Sequence, residues 1–172
     1  MSGAERDNGG AAERVSFREV VPEDFEALSA FMEENNVPAV VRTFNPFPMT
    51  AETARRIARA PRLDRYYAAF LGGRVVALSM LRGWDEGYSV PSFGIMVDHR
   101  LHGMGIGARV LDETVAEAAR LGCRRVRLSV FAGNRRAVGL YLSRGFVEDS
   151  REPVTLPGGA DERIIMYKEL AP

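Results

Sequence analysis

One cysteine, one lysine and two histidines in 172 residues exclude several chemistries at once. Cys123 has no second cysteine with which to close an internal disulfide, and nothing in it speaks against a reducing cytosol, so a cytoplasmic protein is expected. It follows a helical stretch in Leu121-Gly122-Cys123 with no base linked to it in sequence, which reads as a small buried hydrophobe rather than a nucleophile. Lys168 is the only lysine, so there is no phosphate loop of the Gly-x-x-x-x-Gly-Lys-Ser/Thr kind. The 23 basic and 23 acidic residues leave a formal net charge of zero, which gives neither a nucleic-acid footprint nor a membrane-surface patch. No apolar run approaches the roughly 20 residues of a membrane span. The first residues lack the apolar stretch of a secretory signal, and no metal site is expected.

What is present is ordinary for a globular protein, with 46% apolar and 27% charged residues. The length suits one domain with a proper core. Residues 1–14 are small and polar and read as a loose, disordered tail, leaving 15–172 as the domain. Residues 15–20 alternate as a first strand, and Pro22-Glu23-Asp24 opens a helix with Phe25, Leu28, Phe31 and Met32 on its apolar face. Residues 35–49 are loop-like yet apolar, and Thr50 caps a second helix over 50–59. Two β-rich runs, 66–71 and 75–81, flank Gly72-Gly73 and read as a hairpin. Residues 89–97 form a further strand, in which Pro91 implies a bulge or an edge. Residues 125–130 alternate as the next strand, 151–161 form a loop flexible enough for a lid, and 162–170 form the last strand.

The chain is organised around His102-Gly103-Met104-Gly105-Ile106-Gly107-Ala108, where three glycines alternate between a strand and an apolar helical pattern over 105–121. A strand, a glycine turn and a helix N-terminus together aim free backbone N–H groups and a partial positive charge at a phosphate. The dinucleotide fingerprint Gly-x-Gly-x-x-Gly does not fit, because the third glycine arrives one residue early and the loop lies beyond the midpoint. Alone, the stretch is equally a tight turn without a ligand. A second constellation follows in Asn134-Arg135-Arg136-Ala137-Val138-Gly139-Leu140-Tyr141, closed by Gly145-Phe146. Helical spacing puts Asn134, Ala137 and Tyr141 on one face.

These two stretches resemble the GNAT superfamily of N-acetyltransferases. Its acetyl-coenzyme A loop reads Arg/Gln-x-x-Gly-x-Gly/Ala after a strand ending in Val. His102 to Gly107 fits that register with His in first place; Arg100 to Gly105 fits the letters two residues early. The family's later pattern, Asn-x-x-Ala-x-x-x-Tyr-x-x-x-Gly-Phe, is matched at Asn134, Ala137, Tyr141, Gly145 and Phe146. The resemblance implies an α/β fold: a mixed central sheet flanked by helices, with a splayed parallel strand pair that admits the cofactor. It implies acetyl-CoA as cosubstrate, held by Ile95, Met96, Val97, the residues from His102 to Ala108, Asn134, Ala137 and Tyr141. It implies Tyr141 as general acid toward the departing thiolate, with a backbone N–H near Met96 or Val97 stabilising the carbonyl oxygen.

An alkyl ammonium titrates near 10, so a base must take its proton before attack. Many relatives carry a Glu near the position of Pro91; here residues 89–97 hold no carboxylate, and the nearest are Asp85 and Glu86. Both also read as solvated turn acids, and His99 and His102 as loop-capping residues. The expected reaction is direct transfer of acetyl to a primary amine of a small molecule, with an amino sugar suggested by the aromatic, acidic loop from Trp84 to Tyr88. The alternatives are a protein N-terminal or lysine acetyltransferase, and a non-catalytic acyl-CoA sensor on the same fold. Many such domains form homodimers, but no interface is legible in the sequence.

Overall fold

The Gly72-Gly73 pair turns the chain with φ of 58° and 80°, a region glycine enters without steric cost. It joins β2 (Arg65–Leu71) to β3 (Arg74–Arg82) as the hairpin the sequence suggests. The computed structural model describes residues 9–44 and 46–170. Strands β1 (Ser16–Glu19), β4 (Ser92–Val97), β5 (Arg125–Phe131), β6 (Val147–Leu156) and β7 (Gly159–Glu169) complete a seven-stranded sheet. Its order is β1-β2-β3-β4-β5-β7-β6, and only the β4–β5 pair is parallel.

Helices cover both faces. On one side lie α2 (Phe25–Asn35), the short α3 (Pro38–Val41) and α4 (Ala51–Arg59), packed over Tyr66, Ala68, Leu78, Met80 and Met96. Thr50 caps α4 as expected, its Oγ1 accepting from the Thr53 N–H at 3.2 Å. On the other side α5 (Ile106–Arg120) and α6 (Arg135–Ser143) cover Phe93, Val126, Leu128, Ile164 and Met166. α5 is the crossover between the two parallel strands. It is pinned to β3 by a buried 2.7 Å hydrogen bond between Ser79 and Thr114.

Four expectations change. First, the chain orders earlier than residue 15: α1 (Gly9–Glu13) packs beside α5, Ala11 is buried, and the Arg109 guanidinium donates to the Ala12 carbonyl. Residues 1–8 of the expected tail lie outside the described residues. Second, β4 contains no bulge. It pairs with β3 in unbroken register from Ala77↔Val97 to Arg82↔Ser92, and Pro91 precedes the strand. Third, residues 151–161 are not a lid, because β6 and β7 run through them as a hairpin in which Leu156 pairs with Gly159. Fourth, the apolar segment 35–49 contains α3, and Val40, Phe47 and Met49 are buried; Asn45 lies outside the described residues.

The parallel pair is barely a pair. β4 and β5 meet at Ser92↔Arg127, where the Arg127 N–H donates to the Pro91 carbonyl at 3.0 Å, and then diverge. The splay therefore exists without a bulge. The Asp98 backbone N–H donates to the Val76 carbonyl of β3 at 2.9 Å. Backbone groups alternate along a strand, so Met96 and Gly94 also face β3, while Phe93, Ile95 and Val97 face the gap.

Candidate active site

A cavity of about 1250 Å³ runs through the gap between β4 and β5. One mouth lies on the α5/α6 side. Gly103 and Gly105 take φ of 82° and 76° there, and Gly105 precedes α5 as an N-cap with no side chain to bond its first turn. The first-turn N–H groups of α5 are thus left for an external acceptor. A Cβ on Gly103 would meet nothing within 4 Å, so the turn is open, whereas Gly107 lies against Val97 and Leu140.

His102, Gly103, Gly105, Gly107 and Ala108 line this mouth, as do Asn134, Ala137 and Tyr141. Ile95, Met96 and Val97 line the gap itself. Met104 and Ile106 do not line it: Ile106 is buried in the core and Met104 packs against the same cluster, so only their backbones are available to a ligand. Met96 lines the wall, but its N–H belongs to the β3 ladder by alternation, which leaves Ile95 and Val97 as the free donors. His102 stands at the head of the glycine turn, with Nε2 at 3.3 Å from the Val97 carbonyl oxygen. Arg100 is held by Asp98 and Glu34 and does not reach the cavity.

Asn134 is both a wall residue and a helix cap, its Oδ1 accepting from the Ala137 N–H at 3.3 Å. Tyr141, two turns beyond Asn134 along α6, is 7% exposed. Its ring lies edge-on to Phe93 at 6.2 Å, which sets it beside the point where the strands part. Among the described residues its hydroxyl has no hydrogen-bond partner, and burial pushes its pKa up to about 12. The phenol is therefore protonated throughout the neutral range, as a proton donor must be.

The two loop carboxylates separate. Asp85 accepts from the Leu63 N–H at 2.7 Å and the Asp64 N–H at 3.4 Å, and it does not line the cavity. That holds the loop together and takes Asp85 out of the candidate bases. Glu86 does line the cavity, 3.7 Å from Arg82. Trp84 packs against the core beneath α5 and is absent from the wall, whereas Tyr88, 63% exposed, stands at the rim. The aromatic pair expected to cradle a sugar is thus not assembled.

Two buried polar residues went unnoticed in the sequence. Asp64, 4% exposed, accepts from the N–H groups of Gly83, Trp84 and Asp85 at 2.8, 2.9 and 3.2 Å, and so shapes the loop that carries Glu86. Asn35, fully buried, accepts from the His99 backbone at 3.0 Å and from His99 Nδ1 at 3.0 Å, tying α2 to the segment before the glycine turn. His99 is thereby a structural residue. Buried capping acids and amides have no sequence signature beyond their type.

A family model described as the acetyltransferase (GNAT) family matches residues 25–146. A search of curated proteins finds no match. Solved structures of the same fold include a GNAT-family acetyltransferase from Streptococcus pneumoniae, at 22% identity and TM-score 0.74, covering 91% of this chain and 99% of that one. Salmonella typhimurium yncA, solved with its cofactor acetyl-CoA, gives 18% identity and 0.76 over 92% and 95% of the two chains. The ribosomal-protein-S5-alanine acetyltransferase of Vibrio fischeri gives 13% and 0.75 over 91% and 93%.

Proposed function

We propose that this chain, which belongs to the acetyltransferase (GNAT) family, transfers the acetyl group of acetyl-CoA directly to the primary amine of a small molecule. The carrying observation is the splayed β4–β5 gap, which has a glycine turn and an uncapped helix at one mouth and Tyr141 at its apex. The residues suit the cosubstrate. The N–H groups of residues 103–108 would hold its pyrophosphate. Ile95 and Val97 offer backbone groups to its amide arm, with Asn134 and Ala137 on the opposite wall. The bound cosubstrate supplies an activated thioester; the protein's work is to position it and move protons.

Glu86 takes a proton from the ammonium of the acceptor. The free amine forms the C–N bond, the C–S bond breaks, and Tyr141 donates its proton to the sulfur. The second proton shed by nitrogen returns to the Tyr141 oxygen, so one proton leaves per turnover. Gap-facing N–H groups of β4 would stabilise the oxygen that gains charge. Direct attack is favoured because Cys123 and Lys168 lie off the cavity wall; Lys168 Nζ donates to the Arg144 carbonyl at 2.5 Å.

The test is a thermal-shift titration against acetyl-CoA, CoA, NAD and ATP, followed by thiol release with a panel of amines. Saturation at 100 times the dissociation constant adds about 2.7 kcal/mol to stability. A shift with the two CoA species alone, and amine-dependent thiol release, is the expected result. A well-folded sample that acetyl-CoA does not stabilise would refute the assignment.

A further inference from the structure

The chain is neutral overall, yet the wall of its cavity is not. Five arginines line it, Arg82, Arg125, Arg127, Arg136 and Arg163, against the single carboxylate of Glu86. Arg82 is accounted for by Asp64 at 3.8 Å and Glu86 at 3.7 Å. Arg125 lies 3.9 Å from Glu169 and stacks over Tyr167. Arg136 sits on α6 beside Asn134, on the cosubstrate side. Arg127 and Arg163 remain. Neither has a carboxylate partner among the described residues, and Arg163 lies over the Phe131 ring at 5.9 Å.

Their placement follows from strand alternation. Val126, Leu128 and Val130 of β5 face α5 and α6, so Arg125, Arg127 and Ser129 face the other way. That side of the sheet is the one on which α3 contributes Ala39 and Val40 to the cavity wall. Arg127 is also the residue paired with Ser92 where β4 and β5 part. It therefore stands across the sheet from Tyr141 at the same apex, half-buried and without a counter-charge. A guanidinium in that setting has lost part of its hydration and gained no partner, which favours an anion presented from the cavity.

We propose that the acceptor is a small amine that also carries an anionic group, a carboxylate or phosphonate, and that Arg127 is its principal anchor, with Arg163 at the outer end of the same face. This rests on the acetyl-transfer reading above. Glu86 and Arg127 give the acceptor chamber opposite charges at different points of its wall. That pattern is complementary to an amino acid or an aminoalkyl phosphonate, and not to a polyamine or a neutral sugar.

The experiment measures kcat/KM by thiol release at saturating acetyl-CoA. Its acceptors are α-amino acids, their carboxamides, aminoalkyl phosphonates, an amino sugar, a diamine and an acidic peptide with a free N-terminus. Each anionic amine is expected to exceed its uncharged counterpart by at least about tenfold, the scale of one charge-assisted contact. Arg127→Gln should erase that preference through KM for the anionic amine. The shift produced by acetyl-CoA in Arg127→Gln should stay at the wild-type value, showing an intact fold. Equal use of acids and carboxamides, preference for the diamine, the sugar or the peptide, or a preference untouched by Arg127→Gln would each overturn the proposal while leaving acetyl transfer standing. Loss of the acetyl-CoA shift itself would instead count against the reaction.

Discussion

At the scale of the residue, the proposed mechanism rests on one phenol and one carboxylate, and the two are unequally legible in the sequence. Tyr141 could be read from sequence because helical spacing ties it to Asn134 and Ala137, and the structure gives it a buried position beside Phe93 with a pKa pushed up to about 12. A donor of that kind costs general-acid catalysis when removed, about 10²–10⁴-fold. Tyr141→Phe should therefore lower kcat by that order while acetyl-CoA still stabilises the fold; unchanged turnover would remove the tyrosine from the mechanism. Asp85 and Glu86 could not be separated in sequence, since which neighbour faces the cavity depends on the turn that Asp64 organises. The structure turns Asp85 inward onto backbone N–H groups and Glu86 outward to the wall. Glu86→Gln should lower kcat/KM with the largest deficit near neutral pH. The deficit should shrink as pH approaches 10, where solution deprotonates the amine unaided. A deficit that does not depend on pH would assign Glu86 to binding rather than proton transfer. Arg127 was invisible for a different reason: an outward arginine on an alternating strand reads as a solvated face, and only the sheet order shows that this face is a cavity wall.

At the scale of the element, sequence patterns placed the helices and strands well, because caps and alternation are local. Thr50, Asn134 and the Gly72-Gly73 turn all act where their chemistry suggests. What failed was non-local. Pro91 suggested a bulge, but the strand begins one residue later and the splay arises because β5 leaves β4 after one paired position. Residues 151–161 suggested a loop flexible enough for a lid, but the long β6–β7 ladder extends to its turn. The Glu86 loop shows how such an element is held: Asp64, at the end of the α4–β2 connection, satisfies three successive N–H groups. Asp64→Ala leaves those donors buried or half-buried without their acceptor, a loss of about 1–3 kcal/mol, or roughly 3–10 °C in Tm. Activity measured well below the new Tm should fall as well, because Glu86 loses its positioning. A large fall in Tm with unaltered kcat/KM would mean that the loop's shape is irrelevant to catalysis.

At the scale of the whole molecule, the paired carboxylates and the buried tyrosines carry opposite vulnerabilities to pH. Asp24 is held below the usual carboxylate range by its hydrogen bonds with Arg18, and Asp98 by those with Arg100. Their contributions are complete at neutral pH and are lost only as acid protonates them in the folded state. The tyrosines act at the other end. Burial pushes Tyr67 and Tyr141 up to about 12 and raises Tyr66 as well. An unfolded tyrosine titrates near 10. The folded state therefore holds these protons more tightly, so its full stability is present below about pH 10 and drains away as pH rises toward 12. Tyr67 and Tyr141 lie in the cluster beneath α5 and α6, and Tyr66 in the cluster beneath α2 and α4, so ionisation loosens both faces of the sheet together. Thermal unfolding followed from pH 8 to 12 should show a plateau and then a steep fall in Tm, coinciding with delayed tyrosinate absorbance. Tyr141→Phe should soften the fall without abolishing it, because Tyr67 and Tyr66 remain. A Tm that holds steady to pH 12, or tyrosines that all titrate near 10 in the folded protein, would mean that the interior around these phenols is wet. The phenols would then titrate in the folded protein as they do in the unfolded chain, and their ionisation would take no stability from the fold.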